Sequence, residues 1–219
     1  MTSISPQSMA SVLIESINQM LFDEVNEERI EEIIADANKM KINGQSAEAY
    51  NVLGMIAALR YDFAEVDRLF NAAINCSGRD VWTLENYSKA LCNMNRLVEA
   101  MRIIDEVVVK DPDNADAINE AIKQHRLAFD TDGVRRLLKH SQQVGLPVDI
   151  VGLTDNIDRL DELMESHGVT WQEMVSRTEL ASKVLQDIGS PPVLVTETFG
   201  DGFLIVQVAL NLFFRLKMR

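Results

Sequence analysis

Side chains able to do acid–base or nucleophilic chemistry are few in this chain and scattered along it. The three histidines are His125, His140 and His167. None has a Ser or Cys at a spacing that would build a nucleophile–base pair, and His125 and His140 are expected on helix faces. His167 stands directly before Gly168, where a cation would suit the negative end of a helix dipole. The two cysteines, Cys76 and Cys92, lie 16 apart with no CxxC and no neighbouring His. That predicts neither a zinc site nor a disulfide framework, and both are expected as small buried hydrophobes in a reducing compartment. Asp23, Glu24, Glu27, Glu28, Glu31 and Glu32 form an acidic run. It lacks the alternating oxygens, the Gly and the terminal Glu of a calcium loop, so a solvated helix face is expected. GxxxxGK[ST], GxGxxG, HExxH and GxSxG are all missing. The expectation is a protein without catalytic residues, cofactor or metal, acting by binding.

Composition narrows the class of partner. The 219 residues are 47% apolar, enough for a packed core, and 34 acids against 21 bases give a formal charge of −13. Duplex nucleic acid is a poor partner for such a surface, because phosphate binding rests on clustered Lys and Arg. The start, Met1 to Pro6, has no basic and apolar leader of the secretory type, so a cytoplasmic location is expected. The most apolar stretch, Phe203 to Phe214, is interrupted by Gln207 and Asn211 and is shorter than the roughly 20 residues that a spanning helix needs. Membrane insertion is therefore not expected.

The elements that would have to position any binding surface follow a repeat. Tyr50, Leu53, Gly54, Ala57, Val66, Phe70 and Ala73 recur 34 residues later as Leu84, Tyr87, Ser88, Leu91, Ala100, Ile104 and Val107, with Pro112 closing the unit. A third, weaker copy places Ile118, Ile122, Val134 and Leu138 in register, with Gly133 near the start of its second helix. Each copy is predicted as two helices joined by a short turn: Arg60 to Phe63, Met94 to Leu97 and Phe129 to Asp132. Asp111-Pro112-Asp113-Asn114 breaks the chain between copies, since proline has no amide to continue a helix. Ahead of the copies, helical spacing of Val12, Leu13, Ile17, Met20 and Leu21, then of Ile30, Ile33, Ile34, Ala37 and Met40, predicts a hairpin that ends at Asn43-Gly44. Ser46 is the expected N-cap of the next helix.

With this period and these residues, the segment 47–114 resembles tetratricopeptide repeats, and the third copy extends the resemblance to 148. Tyr50 and Val66 stand where the family more often has Trp and Ala, and Ser88 replaces a Gly. The resemblance implies a mostly α fold, an antiparallel helix-pair solenoid whose inner helices line a groove for a peptide or protein. It assigns Asn51, Met55 and Ala58 of the first copy, Trp82, Glu85, Lys89 and Asn93 of the second, and Asn119, Lys123 and Arg126 of the third to that groove. Lys89 and Lys123, one repeat apart, would then stand beside Arg126 as a basic spot for an acidic segment, with Trp82 as aromatic anchor.

Residues 1–46 are expected to cap the array, with copies at 47–80, 81–114 and 115–148. The pattern then changes, and 149–219 is expected to be a small α+β segment. It would hold helices at about 154–167 and 171–188, the second opened by a Thr170–Glu173 capping box. A β-hairpin of strands at about 193–199 and 203–210 would follow, turning at Gly200-Asp201-Gly202. A lone hairpin needs cover, either from the preceding helices folding over it or from a partner or second copy of the chain that pairs with it. A protein-interaction module is the expected function. A dedicated chaperone or immunity-type inhibitor of a basic client suits the acidity, and a ligand or enzyme pocket in the tail is a third reading.

Overall fold

A computed structural model describes residues 8–21, 25–146, 153–188, 195–200 and 203–208, and these are mostly helical. The helices are α1 (Met9–Gln19), α2 (Glu27–Ile42), α3 (Ser46–Leu59), α4 (Phe63–Ser77), α5 (Val81–Asn93), α6 (Leu97–Lys110), α7 (Ala115–Leu127), α8 (Thr131–Gln143), α9 (Leu153–Ser166) and α10 (Trp171–Ile188). Backbone pairing of β1 (Val195–Gly200) with β2 (Phe203–Val208) is antiparallel, from Val195 opposite Val208 to Gly200 opposite Phe203. The turn residues 201–202, together with 193–194 and 209–210 of the expected strands, lie outside the described residues. Among the described residues no helix is long and apolar enough to cross a membrane. The chain divides into two compact units, Met1–Ala90 and Leu91–Arg219, with the division inside α5.

Helix starts follow from side chains that accept otherwise unsatisfied amides. Ser8, Asn26, Asp62, Asn114 and Asp130 each accept from the backbone N–H three residues on. Asp80 does the same for Thr83 at 2.7 Å. Ser46 does not serve as the expected cap. Gly44, at φ 84°, ends α2 and directs the Gln45 N–H onto Met40 O at 3.0 Å, which leaves Gln45 in the cap position and Ser46 as the first helical residue.

The joints within the three helix pairs are alike to a few degrees. Tyr61, Asn95 and Phe129, each 34 residues from the next, have φ of 57°, 57° and 61°. The amide after each returns to the helix just ended: Asp62 to Ala57 O at 3.0 Å, Arg96 to Leu91 O at 2.9 Å, Asp130 to His125 O at 2.9 Å. This six-to-one bond is the usual helix-ending motif with its left-handed residue, a place normally filled by Gly. A side chain there costs about 1 kcal/mol or more. Phe129 offsets the cost by burying its ring.

In the first unit, α3 and α4 pack around the fully buried Phe70. Gly54 makes room for it: a Cβ on Gly54 would lie 2.6 Å from the Phe70 ring. Tyr87 stacks on the same ring at 4.8 Å between centroids and donates its hydroxyl to Asp67 at 2.9 Å. On α1, Leu13, Ile14 and Ile17 are buried, whereas Val12 faces outward.

In the second unit, α6, α7 and α8 pack in succession and α10 lies against α6. Ile118, Ile122 and Val134 are buried as expected, but the expected Leu138 is only half-buried, and its neighbour Leu137 takes the interior position. One cluster joins Leu97, Val98, Met101 and Ala128 to Val175 of α10. A second joins Phe129 to Leu160 and Met164 of α9, with Val169, Trp171 and Met174 against it. The capping box forms as expected, Thr170 N–H donating to Glu173 Oε2 at 2.8 Å and Glu173 N–H to Thr170 Oγ1 at 3.3 Å.

Candidate functional site

The densest group of polar side chains in the interior of the second unit lies where α6, α7 and α8 meet. His125, near the end of α7, is 1% exposed. Its Nδ1 is 2.7 Å from Asp130 Oδ2 and its Nε2 is 3.0 Å from Asp105 Oδ1. Arg136 of α8 closes the group, with Nη2 at 3.2 Å and 3.3 Å from the two Asp105 oxygens. Asp130 works twice, since its other oxygen accepts the Gly133 N–H at 3.0 Å as the N-cap of α8.

Charge follows from this geometry. A neutral imidazole has one N–H, so facing two ionised carboxylates would aim a lone pair at one of them. Protonated, both nitrogens donate, and His125 and Arg136 balance Asp105 and Asp130. Burial by itself would lower the His125 pKa; the hydrogen bonds and charges of Asp105 and Asp130 outweigh it and raise the value above 6.5. Burial likewise opposes ionisation of Asp105 and Asp130, yet His125, with Arg136, holds both below the ordinary 3.8. For Asp130 the Gly133 amide adds to this.

Gly133 is required by the cluster. A Cβ there would fall 2.0 Å from His125 Nδ1 and 2.4 Å from Asp130 Oδ2. His125 lies on a face of α7 that packing turns inward: α6 against α7 brings Asp105, twenty residues away in sequence, to the ring. Among the described residues no group of three or more His, Cys, Asp or Glu could hold a metal ion. The ring is also too enclosed to meet a substrate, so the cluster is a tie between helices and not a catalytic dyad.

The other sequence-singled residues fall elsewhere. His140 donates Nε2–H to Pro112 O at 2.8 Å, and His167 lies 2.9 Å from Leu163 O, at the end of α9. Cys76 is exposed, contrary to expectation, because it stands on the outer side of α4 near its end. Cys92 is half-buried, and its thiol is pushed up to about 11, mainly by burial and further by the Glu120 charge, which keeps it protonated and unreactive. Of the acidic run, Asp23 and Glu24 lie outside the described residues. Glu27 and Glu31 both pair with Arg60, at 2.7 Å and 3.6 Å.

The groove set divides. Asn51 and Met55 are 0% and 1% exposed, and Ala58 is buried with them, so none of the three is within a partner's reach. The Asn51 amide instead donates to Ala47 O at 2.9 Å and to Thr83 Oγ1 at 3.1 Å, and Met55 is core. Trp82, Glu85, Lys89, Asn93, Asn119 and Arg126 are half-buried, and Lys123 is exposed. Trp82, Glu85 and Lys89 belong to the first unit; Asn93, Asn119, Lys123 and Arg126 belong to the second. Lys123 lies 3.6 Å from Glu120, one turn back on α7. Arg126 Nε is buried with no hydrogen-bond partner.

No family model matches the chain, and no curated protein matches it.

Proposed function

We propose that the chain is a non-enzymatic protein-interaction module, a tetratricopeptide-like array of helix pairs that holds a peptide or protein partner along its inner helices. The observation that carries this reading is the recurrence at Tyr61, Asn95 and Phe129 of one left-handed joint at a spacing of 34 residues, with the same returning hydrogen bond each time. Repeats of one helix pair bury their apolar faces on each other and leave an extended surface for binding. Within the second unit, Arg126 and Lys123 favour an acidic segment as the occupant. Both are cations on α7, one turn apart, and Lys123 has only an exposed pairing to give up. In this reading the C-terminal strands form a hairpin that a partner or a second copy covers.

The test is capture of a partner by the full chain from its native cell, followed by titration of that purified partner. Reversal of Lys123 and Arg126 to Glu is expected to weaken binding at least tenfold, by about 1.4 kcal/mol or more. Unchanged affinity would remove the acidic-segment reading. Deleting residues 190–219 in the same titration separates a partner held by the inner helices from one that completes the hairpin.

A further inference from the structure

We propose that the Asp105–His125–Asp130 tie is a proton-operated latch that keeps the C-terminal helices α9 and α10 docked on the α7–α8 turn. The turn is three residues long in effect, and each residue faces a different neighbour. Ala128 lies in the cluster that receives Val175 of α10. Phe129 lies in the cluster formed with Leu160 and Met164 of α9, against which Trp171 and Met174 of α10 pack. Asp130 is held by the His125 ring at 2.7 Å. The docking surface for the C-terminal helices therefore includes, beside α6, the same short segment that the imidazolium anchors.

Phe129 makes the segment sensitive. Its φ of 61° is a left-handed conformation that a phenylalanine holds only under constraint from both sides. The ring is buried toward α9 and α10, and the following residue is bonded to His125 through both its backbone amide and its side chain. Loss of the His125 proton leaves one N–H for two carboxylates, and in the tautomer that keeps it on Nε2, toward Asp105, the side-chain half of that constraint fails.

The charged groups facing the ring are Asp105 from α6, Asp130 from the turn and Arg136 from α8, which bears on Asp105, while Arg126 precedes His125 in its own helix. The raised His125 pKa sets the direction. The latch is fully closed between about 3.8 and 6.5, loosens as pH rises through the folded-state value of His125, and levels above it. The depressed Asp105 and Asp130 values add a second, acid limb below 3.8. Two further ionic contacts hold the C-terminal helices: Arg135 with Asp158 and Asp161 links α8 to α9, and Arg102 with Glu179 links α6 to α10.

Trp171 reports the docking directly. In a Trp82→Phe chain its emission is followed from pH 5.5 to 10 alongside the NMR titration of His125, and amide exchange is followed on the unaltered chain. The expected result is a red shift of Trp171 with the His125 midpoint. Protection of 128–133 and 153–188 should fall up to about tenfold per pH unit across that window, while α6 and the first turns of α7 stay protected. Asp105→Asn should move both midpoints to lower pH together, which a merely structural contact would not do. The proposal is overturned by any of three results: His125 titrating while Trp171 and the exchange of 153–188 stay constant, the whole second unit losing protection at once, or an Asp105→Asn midpoint that does not move.

Discussion

Two regions of the chain solve the same packing problem in opposite ways. In the α3–α4 pair, Gly54 lets a ring approach to where a Cβ would be 2.6 Å away, and the ring is the apolar Phe70. In the α7–α8 pair, Gly133 does so at 2.0 Å, and the ring is His125, paired with two carboxylates. Shifting by 34 places Ala57, Leu91 and His125 at one position, each directing its carbonyl to the same returning amide. The shared joint constrains the backbone at that position and leaves its side chain free to be small, aliphatic or ionic. A repeat can in this way keep its geometry while one copy acquires a titratable centre.

The change that should break the contrast most strongly is His125→Leu, which restores the residue of the second copy. It strands Asp105 and Asp130, so unfolding free energy in denaturant should fall by about 3 kcal/mol or more. A loss under 1 kcal/mol would mean that the carboxylates find water and that the tie contributes little. The parent chain should lose stability as pH rises above about 6.5 and again as it falls below 3.8, following the raised His125 and lowered Asp105 and Asp130 values. His125→Leu should flatten the alkaline limb, and a limb that survives in the variant would assign it to another group.

Next in size is the pair of glycine substitutions. Gly133→Ala should cost about 2–3 kcal/mol, because its methyl meets a ring nitrogen and a carboxylate fixed by their mutual bonds. Gly54→Ala should cost about 1–2 kcal/mol, because Phe70 is wholly buried but its apolar surroundings can shift by tenths of an ångström. Denaturant unfolding of both variants checks the order. Equal losses would mean that ring chemistry is irrelevant and only the close approach matters.

The helix pairs were visible in the sequence because apolar spacing and turn residues are local signals: Phe70, Leu91 and Ile104 mark core positions that the structure fills, while Leu53 is half-buried. The ionic tie was not, because Asp105, His125 and Asp130 are brought together by helix packing across separations of 20 and 5 residues. One signal did point there. Gly133 and His125 stand in register with Glu65 and Glu99 and with Ala57 and Leu91, so a small residue and a polar one change together in a single copy. Asn51 misled for a related reason: a polar residue on an inner helix reads as groove, yet it is buried, its amide nitrogen donating to Ala47 and Thr83 inside the first unit.

The smallest expected effect tests the joint itself. Asn95 has a left-handed φ of 57°, equal to that of Tyr61 and close to the 61° of Phe129, but is the one of the three without an aromatic ring. It is 6% exposed, and its Nδ2 is buried with no hydrogen-bond partner. Asn95→Gly removes that orphan donor and relaxes the backbone, at the expense of a more flexible unfolded chain, so a net gain of about 0.5 kcal/mol is expected. Phe129→Gly relaxes the same backbone angle but deletes the ring packed with Leu160 and Met164, and should be destabilising by about 3 kcal/mol. Opposite signs in one denaturant series would show that the left-handed residue is retained in the third copy for its side chain. A destabilising Asn95→Gly would mean that the amide has a role in the turn beyond occupying it.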